Sequence, residues 1–337
     1  MRIFSGIQPT GRKHLGNFLG AIVQYVESQE SGEGIFCVVD LHALTVPFDP
    51  AELRDRVHDT VAILLAAGLD PARCTLFRQS DVHEHTELTW LLSSVTELGR
   101  LQRMHQFRDK SVRERELVSA ALLLYPVLMA ADVLAYRAQE VPVGEDQREH
   151  VELMRDVARR FNARFGAGEG VLVVPELRIP AVGARIMDLQ DPSVKMSTTG
   201  GSEQGTVYVL DEPTAIERKL KSAVTDSGEA VRRAEDKPGI TNLIEILAAV
   251  RDSDPAAIET EFEGKRYGEF KAAVAEALVE RLSPVRERYA ELRADTDAIE
   301  SILADGAARA RAIAAETLAD VRERMGVGAP RQARSLR

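Results

Sequence analysis

Between Arg2 and Leu98, short apolar runs alternate with amphipathic stretches, and this rhythm restricts the chain more than any other feature. Arg2–Ser5, Ile35–Asp40 and Cys74–Gln79 read as buried strands, and Leu15–Gln29 has helical spacing. Asp49-Pro50-Ala51-Glu52 opens a second helix with an N-cap, a Pro in the first position and a Glu in the third. Gly68 then closes it. Glu84–Leu98 reads as a third helix ended by Gly99. Strands separated by helices predict an α/β fold, a parallel sheet covered on its faces. Such sheets bind ligands at the carboxyl ends of their strands, so the loop after Ser5 is the first place to look.

The rest of the chain changes character. Ala121–Tyr136 is almost wholly apolar, Gly144–Asn162 is a polar helix, and Gly166–Gly170 is a turn before an apolar strand at Val171–Val174. Asp188–Gly205 is rich in Gly, Ser and Thr and reads as a mobile loop. Helical patterns follow at Thr214–Val224, Ile240–Val250, Pro255–Glu261, Phe270–Leu292 and Asp297–Met325. An α/β half over 1–190, a loop over 191–205 and an all-helical region over 206–330 are the expected parts.

Charge and cysteine usage exclude several classes of function. The 337 residues carry a net charge of −10, split evenly at −5 for 1–190 and −5 for 191–337. A generally basic nucleic-acid binder is therefore out, while a local basic stripe is not. Cys37 and Cys74 are too few for a disulfide framework or a four-cysteine metal site, and a reducing cytoplasm is the expected compartment. The N-terminus turns polar too soon for a signal peptide, and no apolar run reaches the roughly 18–20 residues of a membrane helix. Basic residues are 35 Arg and 8 Lys, with only Lys13, Lys110 and Lys195 in the first 200 positions. Codon bias accounts for that on composition alone.

The strongest local signal is Ser5-Gly-Ile-Gln-Pro-Thr-Gly-Arg-Lys-His-Leu-Gly-Asn-Phe-Leu-Gly-Ala21. A strand ends, a Gly/Pro/Thr turn follows, and a helix begins near His14. Free N–H groups at a helix start favour an anion, and His14 and Asn17 share one helical face. An ordinary capped strand–turn–helix has the same appearance.

His14-Leu15-Gly16-Asn17 resembles the HIGH signature of class I aminoacyl-tRNA synthetases, and Lys195-Met196-Ser197-Thr198-Thr199 resembles their KMSKS signature. The two stand in the family's order. Phe4–Pro9, Val39–Thr45, Leu128–Val133, Val141–Gln147, Val182–Met187 and Ser222–Ser227 are similar to the bacterial tryptophanyl branch, so the resemblance spans nearly the whole chain. It implies a Rossmann-like catalytic domain, a helical anticodon-binding domain and a homodimer. The implied reaction is ATP-dependent activation of L-tryptophan, followed by transfer to tRNA(Trp). Mg²⁺ would accompany ATP, and no membrane partner is implied.

The resemblance also assigns residues. Gln8, Pro9, Thr10, Gly16 and Asn17 would hold ATP. Gly144, Glu145 and Asp146 would lie at the ribose, and Ile186 at adenine. Lys195, in the loop with Met196, Ser197, Thr198 and Thr199, would neutralise pyrophosphate, helped by Lys110. Thr198 stands where the signature has its second lysine, so Lys195, Lys110, Lys13 or a nearby Arg would have to compensate.

Asp132 is the only charge within Ala121–Tyr136, so burial would oblige it to have a partner. An Arg or a helix N-terminus would serve. By resemblance the partner is instead the indole N–H of tryptophan, with Met129 and Phe4 as walls, Tyr125 and Gln147 at the α-amino group, and His42 nearby. His83-Glu84-His85 reads as a solvated helix start, because residues two apart diverge on a helix. Six cations between Arg100 and Arg115 form a candidate stripe for the tRNA acceptor arm. Three other readings stand beside this one: a tyrosyl synthetase, a small-cofactor nucleotidyltransferase, and a synthetase-like RNA-binding protein without catalysis.

Overall fold

The computed structural model describes residues 1–108, 118–178, 186–197 and 201–329. Five parallel strands form one sheet in the order β3-β2-β1-β4-β5: β1 (Arg2–Ile7), β2 (Glu33–Val38), β3 (Thr75–Arg78), β4 (Glu140–Pro142) and β5 (Glu176–Arg178). The order reverses between β1 and β4, so the chain leaves these neighbouring strands in opposite directions. A crevice at their carboxyl ends results, and α/β folds bind ligands there.

Helices cover both faces. One face packs against α1 (Leu15–Asn17), which continues through a π turn at Phe18–Ile22 into α2 (Val23–Ser31), and against α4 (Pro50–Ala66). A short α3 (Asp40–Ala43) follows β2. Asp49 caps α4 by accepting from the N–H groups of Ala51 and Glu52, and Gly68 adopts φ +110° just past its end, both as expected. The opposite face packs against α5 (Glu84–Ser93), α7 (Ala120–Leu134) and α8 (Arg148–Phe165).

Two expectations about element boundaries are corrected. The helix predicted over Glu84–Leu98 stops at Ser93, and α6 (Leu98–Arg103) begins anew with Gly99 inside it. Hydroxyls of Ser93, Ser94 and Thr96 bond the carbonyls of Thr89, Leu91 and Leu92, offering the backbone an alternative to helical continuation. Val171–Val174 is not a strand. The Asn162 side chain takes the N–H groups of Val171 and Leu172 and the Leu172 carbonyl, and the strand forms afterwards at Glu176.

The second half is helical: α9 (Pro213–Lys221), α10 (Pro238–Arg251), α11 (Pro255–Glu261), α12 (Tyr267–Arg293) and α13 (Thr296–Met325). Its last helix is not a mere appendage. Ala307, Ala310, Ala314 and Leu318 of α13 join the apolar core beneath the sheet. A Cβ at Gly306 would stand 1.8 Å from the Leu76 carbonyl oxygen of β3, so only glycine lets this helix come so close. No described helix is long and apolar enough to cross a membrane.

Candidate active site

After β1 ends, Gln8, Pro9 and Thr10 turn over the sheet edge, and Gly11 takes φ +63°. Lys13 is buried beneath this turn, where its ammonium donates to the carbonyls of Gln8 (2.7 Å) and Thr10 (3.3 Å). It shapes this turn from below, its ammonium already engaged by backbone carbonyls. Burial, aided by the Arg56 guanidinium, pushes its pKa down to about 8. Arg12 is also engaged, lying over the Tyr208 ring at 3.6 Å and pairing with Glu203 and Asp211. Lys13, one of the compensating cations named for Thr198, and the neighbouring Arg12 are thus both committed elsewhere.

His14 caps α1, and its backbone N–H donates to the Asn17 side-chain oxygen at 3.1 Å. The imidazole covers Gly16, where a Cβ would come within 3.0 Å of the ring and 3.8 Å of Ile186. Close approach is why the third signature position must be small. Burial, with Lys195 and Lys13 nearby, pushes the His14 pKa down to about 4, so the ring is neutral at pH 7. The segment around His14 is also stitched to a later one: Leu15 N–H donates to the Val207 carbonyl, and Val209 N–H to that of Lys13.

The second signature reaches the same crevice through a small antiparallel pairing. Met196 N–H bonds the Ile186 carbonyl, and Asp188 N–H bonds that of Val194. The Met196 side chain is buried in the core and anchors the loop there. Lys195 is left outside, its ammonium 3.9 Å from Asp146 Oδ1. Asp146 and Glu145 sit in the turn after β4, beside Gly144. Glu145 pairs with Arg148, and the Gln147 amide donates to Asp146. Ser197 is half-buried. Lys110, Thr198 and Thr199, with Arg113 and Arg115 of the basic stripe, lie outside the described residues. Arg100 of that stripe is paired with Asp156.

Deeper in the crevice, Tyr125, Met129 and Asp132 share one face of α7, spaced by four and three residues. Asp132 is 2% exposed and accepts three hydrogen bonds, from His42 Nε2 (2.8 Å), Gln79 Nε2 (2.7 Å) and His85 Nδ1 (2.7 Å). Burial pushes its carboxyl up, yet the bonds from His42 and His85 outweigh it and hold the pKa well below the ordinary range. Its protein partners are therefore neither an Arg nor a helix N-terminus. His42 meets Tyr125 edge-on with ring centres 6.3 Å apart, and Phe4 stacks on Tyr136 at 5.5 Å. The Tyr125 hydroxyl lies 2.8 Å from His150 Nε2. Burial, with Glu149 nearby, pushes its pKa up to about 12.

Gln79, His85, Tyr136 and His150 were not legible as site residues. His85 in particular is fully buried, the reverse of a solvated helix start. One signal could have found Gln79: it directly follows β3, at the sheet's carboxyl edge.

The Gln8–Thr10 turn with the neutral His14, and the buried acceptor Asp132, thus follow the carboxyl ends of the sheet, with Lys195 beside Asp146. Residues 1–283 match the family described as tRNA synthetases class I (W and Y). The chain belongs to this family. A relative from Streptomyces avermitilis, named Tryptophan–tRNA ligase 2, is 50% identical to this chain over 328 residues, 96% of each chain. The tryptophanyl-tRNA synthetase of Mycoplasma pneumoniae superposes with a TM-score of 0.89 at 36% identity, over 97% of this chain and 98% of that one. The enzyme from Campylobacter jejuni, complexed with ADP and tryptophan, superposes with a TM-score of 0.81 at 33% identity, covering 97% and 100%. The synthetase fold is thus the Rossmann-like one that the resemblance implied.

Proposed function

We propose that this synthetase activates L-tryptophan with ATP and transfers it to tRNA(Trp). A tryptophan carboxylate oxygen attacks the α-phosphorus, the bond to the bridging oxygen breaks, and pyrophosphate leaves. The 3′-terminal ribose hydroxyl then attacks the adenylate carbonyl, and AMP leaves. Because the first nucleophile is already ionised, catalysis is positioning plus stabilisation of charge on the transferring phosphate.

In this reading the Gln8–Thr10 turn, Gly16 and Asn17 receive the phosphates at the start of α1, where N–H groups and helix dipole favour an anion. Lys195 meets the leaving pyrophosphate, and its loop acts as a lid. Lys110, Ser197, Thr198 and Thr199 belong to the same group. Gly144, Glu145 and Asp146 face the ribose, and Ile186 faces the adenine. Mg²⁺ would accompany ATP and offset its phosphate charge. Phe4 and Met129 wall the side chain, His42 borders it, and Tyr125 and Gln147 hold the α-amino group. The helices within 206–330 carry anticodon recognition, the α/β parts pair as a dimer, and the compartment is the cytoplasm.

The observation that carries the choice of tryptophan is Asp132, a buried ionised acceptor at the end of an apolar pocket. A site built to hydrogen-bond its ligand rejects one lacking that group by about 10⁴–10⁵, far beyond what an apolar pocket manages. Pyrophosphate exchange into ATP, run with each amino acid in turn, is the test. Exchange driven by tryptophan alone is expected. Exchange driven by tyrosine and not tryptophan overturns the assignment, and tRNA binding without any exchange leaves a non-catalytic protein.

A further inference from the structure

Asp132 has two oxygens with about four lone-pair positions between them. Protein donors fill three. Oδ1 accepts from both Gln79 Nε2 and His85 Nδ1, whereas Oδ2 accepts from His42 alone. The two oxygens also face different surroundings. Gln79, His85 and Tyr136 on the Oδ1 side are fully buried. On the other side, His42 lies edge-on to Tyr125, toward the pocket. The remaining lone pair is therefore on Oδ2.

The donors on Oδ1 are themselves oriented. Leu41 N–H donates to Gln79 Oε1 at 3.0 Å, which turns the amide nitrogen toward Asp132. His85 Nε2 lies 2.6 Å from the Tyr136 hydroxyl. Burial, with the neighbouring Cys37 and Asp132, pushes the tyrosine's pKa well above its ordinary value, so that hydroxyl keeps its proton. A neutral imidazole that gives Nδ1–H to the carboxylate leaves Nε2 as an acceptor, and Tyr136 fills it. In the other tautomer, the Nδ1 lone pair would face a carboxylate oxygen 2.7 Å away. Asp132 thus fixes hydrogen on Nδ1 of His85, and the Tyr136 hydroxyl at Nε2 holds the ring in that orientation.

We propose that Tyr136 and His85 are positioning residues for amino-acid selection: they saturate Asp132 Oδ1 and leave one open lone pair on Oδ2 to read a ring N–H donor. The inference rests on the reading that Asp132 contacts the indole nitrogen. With three donors fixed on two oxygens, the carboxylate cannot rotate or offer a second acceptor to a misplaced ligand. An open acceptor at Oδ2 favours an aromatic side chain with an N–H over an isostere bearing sulfur or N-methyl at that position.

The test compares kcat/KM in pyrophosphate exchange for tryptophan and for 3-(benzothiophen-3-yl)alanine, which replaces the N–H by sulfur. Tyr136→Phe and His85→Leu are expected to lower the tryptophan preference at least tenfold, through KM for tryptophan, with KM for ATP unchanged within twofold. His85→Asn, whose amide nitrogen overlies the imidazole Nδ1, is expected to restore the preference to within about threefold of the unmodified protein. Asp132→Asn separates the two claims. If it leaves the preference intact, the indole contact itself is wrong. If it abolishes the preference while Tyr136→Phe and His85→Leu do not, the contact stands and the positioning role is overturned. The unmodified protein supplies a measurement independent of any variant's folding. ¹⁵N shifts of the His85 ring are expected to show hydrogen on Nδ1, the atom that faces Asp132, and hydrogen on Nε2 alone overturns the proposal.

Discussion

His42 Nε2 lies 2.8 Å from Asp132 Oδ2, with neither side chain more than 5% exposed. A carboxylate so placed depends on its donors, because losing one leaves a desolvated acceptor unsatisfied. His42→Phe keeps the aromatic edge toward Tyr125 but removes the donor. It is expected to destabilise the fold by about 1–3 kcal/mol and to raise KM for tryptophan. Thermal unfolding measures the first effect, and an unchanged midpoint would contradict the dependence.

Lys195 is half-exposed at the mouth of the crevice, 3.9 Å from Asp146. Its proposed partner exists only once ATP is bound and pyrophosphate begins to leave. Lys195→Ala is expected to slow pyrophosphate exchange by about a hundredfold, the usual cost of one stabilising group, with KM for tryptophan little changed. Stopped-flow adenylate formation at saturating substrates checks this; a rate equal to that of the unmodified protein removes Lys195 from the mechanism.

Lys13 is buried as an ammonium whose pKa falls from 10.5 to about 8. The folded state therefore binds fewer protons than the unfolded chain between those values, and stability gains as pH rises through that window. Compared with Lys13→Met, the unmodified protein should gain up to about 3 kcal/mol of unfolding free energy over this range. The contribution is fully present above pH 10.5 and lost as pH falls through about 8. Urea titrations at several pH values measure the difference between the two proteins, and a difference that stays flat argues against the buried charge. Lys13→Met should also raise KM for ATP, since the turn carbonyls lose their donor.

With its pKa near 4, His14 stays neutral through the physiological range. The exchange rate should then show no titration of this ring near pH 6.5. A limb in that region that disappears in His14→Asn would show that the imidazole titrates normally and acts as a cation.

Gly306 lets α13 lie against β3, and a Cβ there would overlap the Leu76 carbonyl. Gly306→Val should cost about 3 kcal/mol or more by forcing helix and strand apart. Gly268, in the first turn of α12, has no heavy atom near its would-be Cβ. Gly268→Ala should therefore stabilise by about 0.5–1 kcal/mol. Denaturant midpoints decide both, and equal effects at the two sites would refute the close approach.

Local chemistry made much of this protein readable from its sequence. Alternation of apolar runs with amphipathic stretches fixed a parallel α/β sheet, Asp49-Pro50 fixed a helix start, and the two signatures marked where a nucleotide would sit. Each is a short-range property: periodicity, capping and backbone freedom act within a few residues. Three matters had to wait for the tertiary structure. His85 belongs to the pocket because α5 turns it beneath α7, a contact spanning 47 residues. Lys13, one of three early lysines, supports the phosphate turn from within because the chain folds back over its ammonium. The last helix belongs with the sheet because an alanine face and one glycine fit β3. In all three, which partner a side chain meets depends on long-range packing, and burial then decides whether a charge or a ring nitrogen is open to a ligand or already bonded.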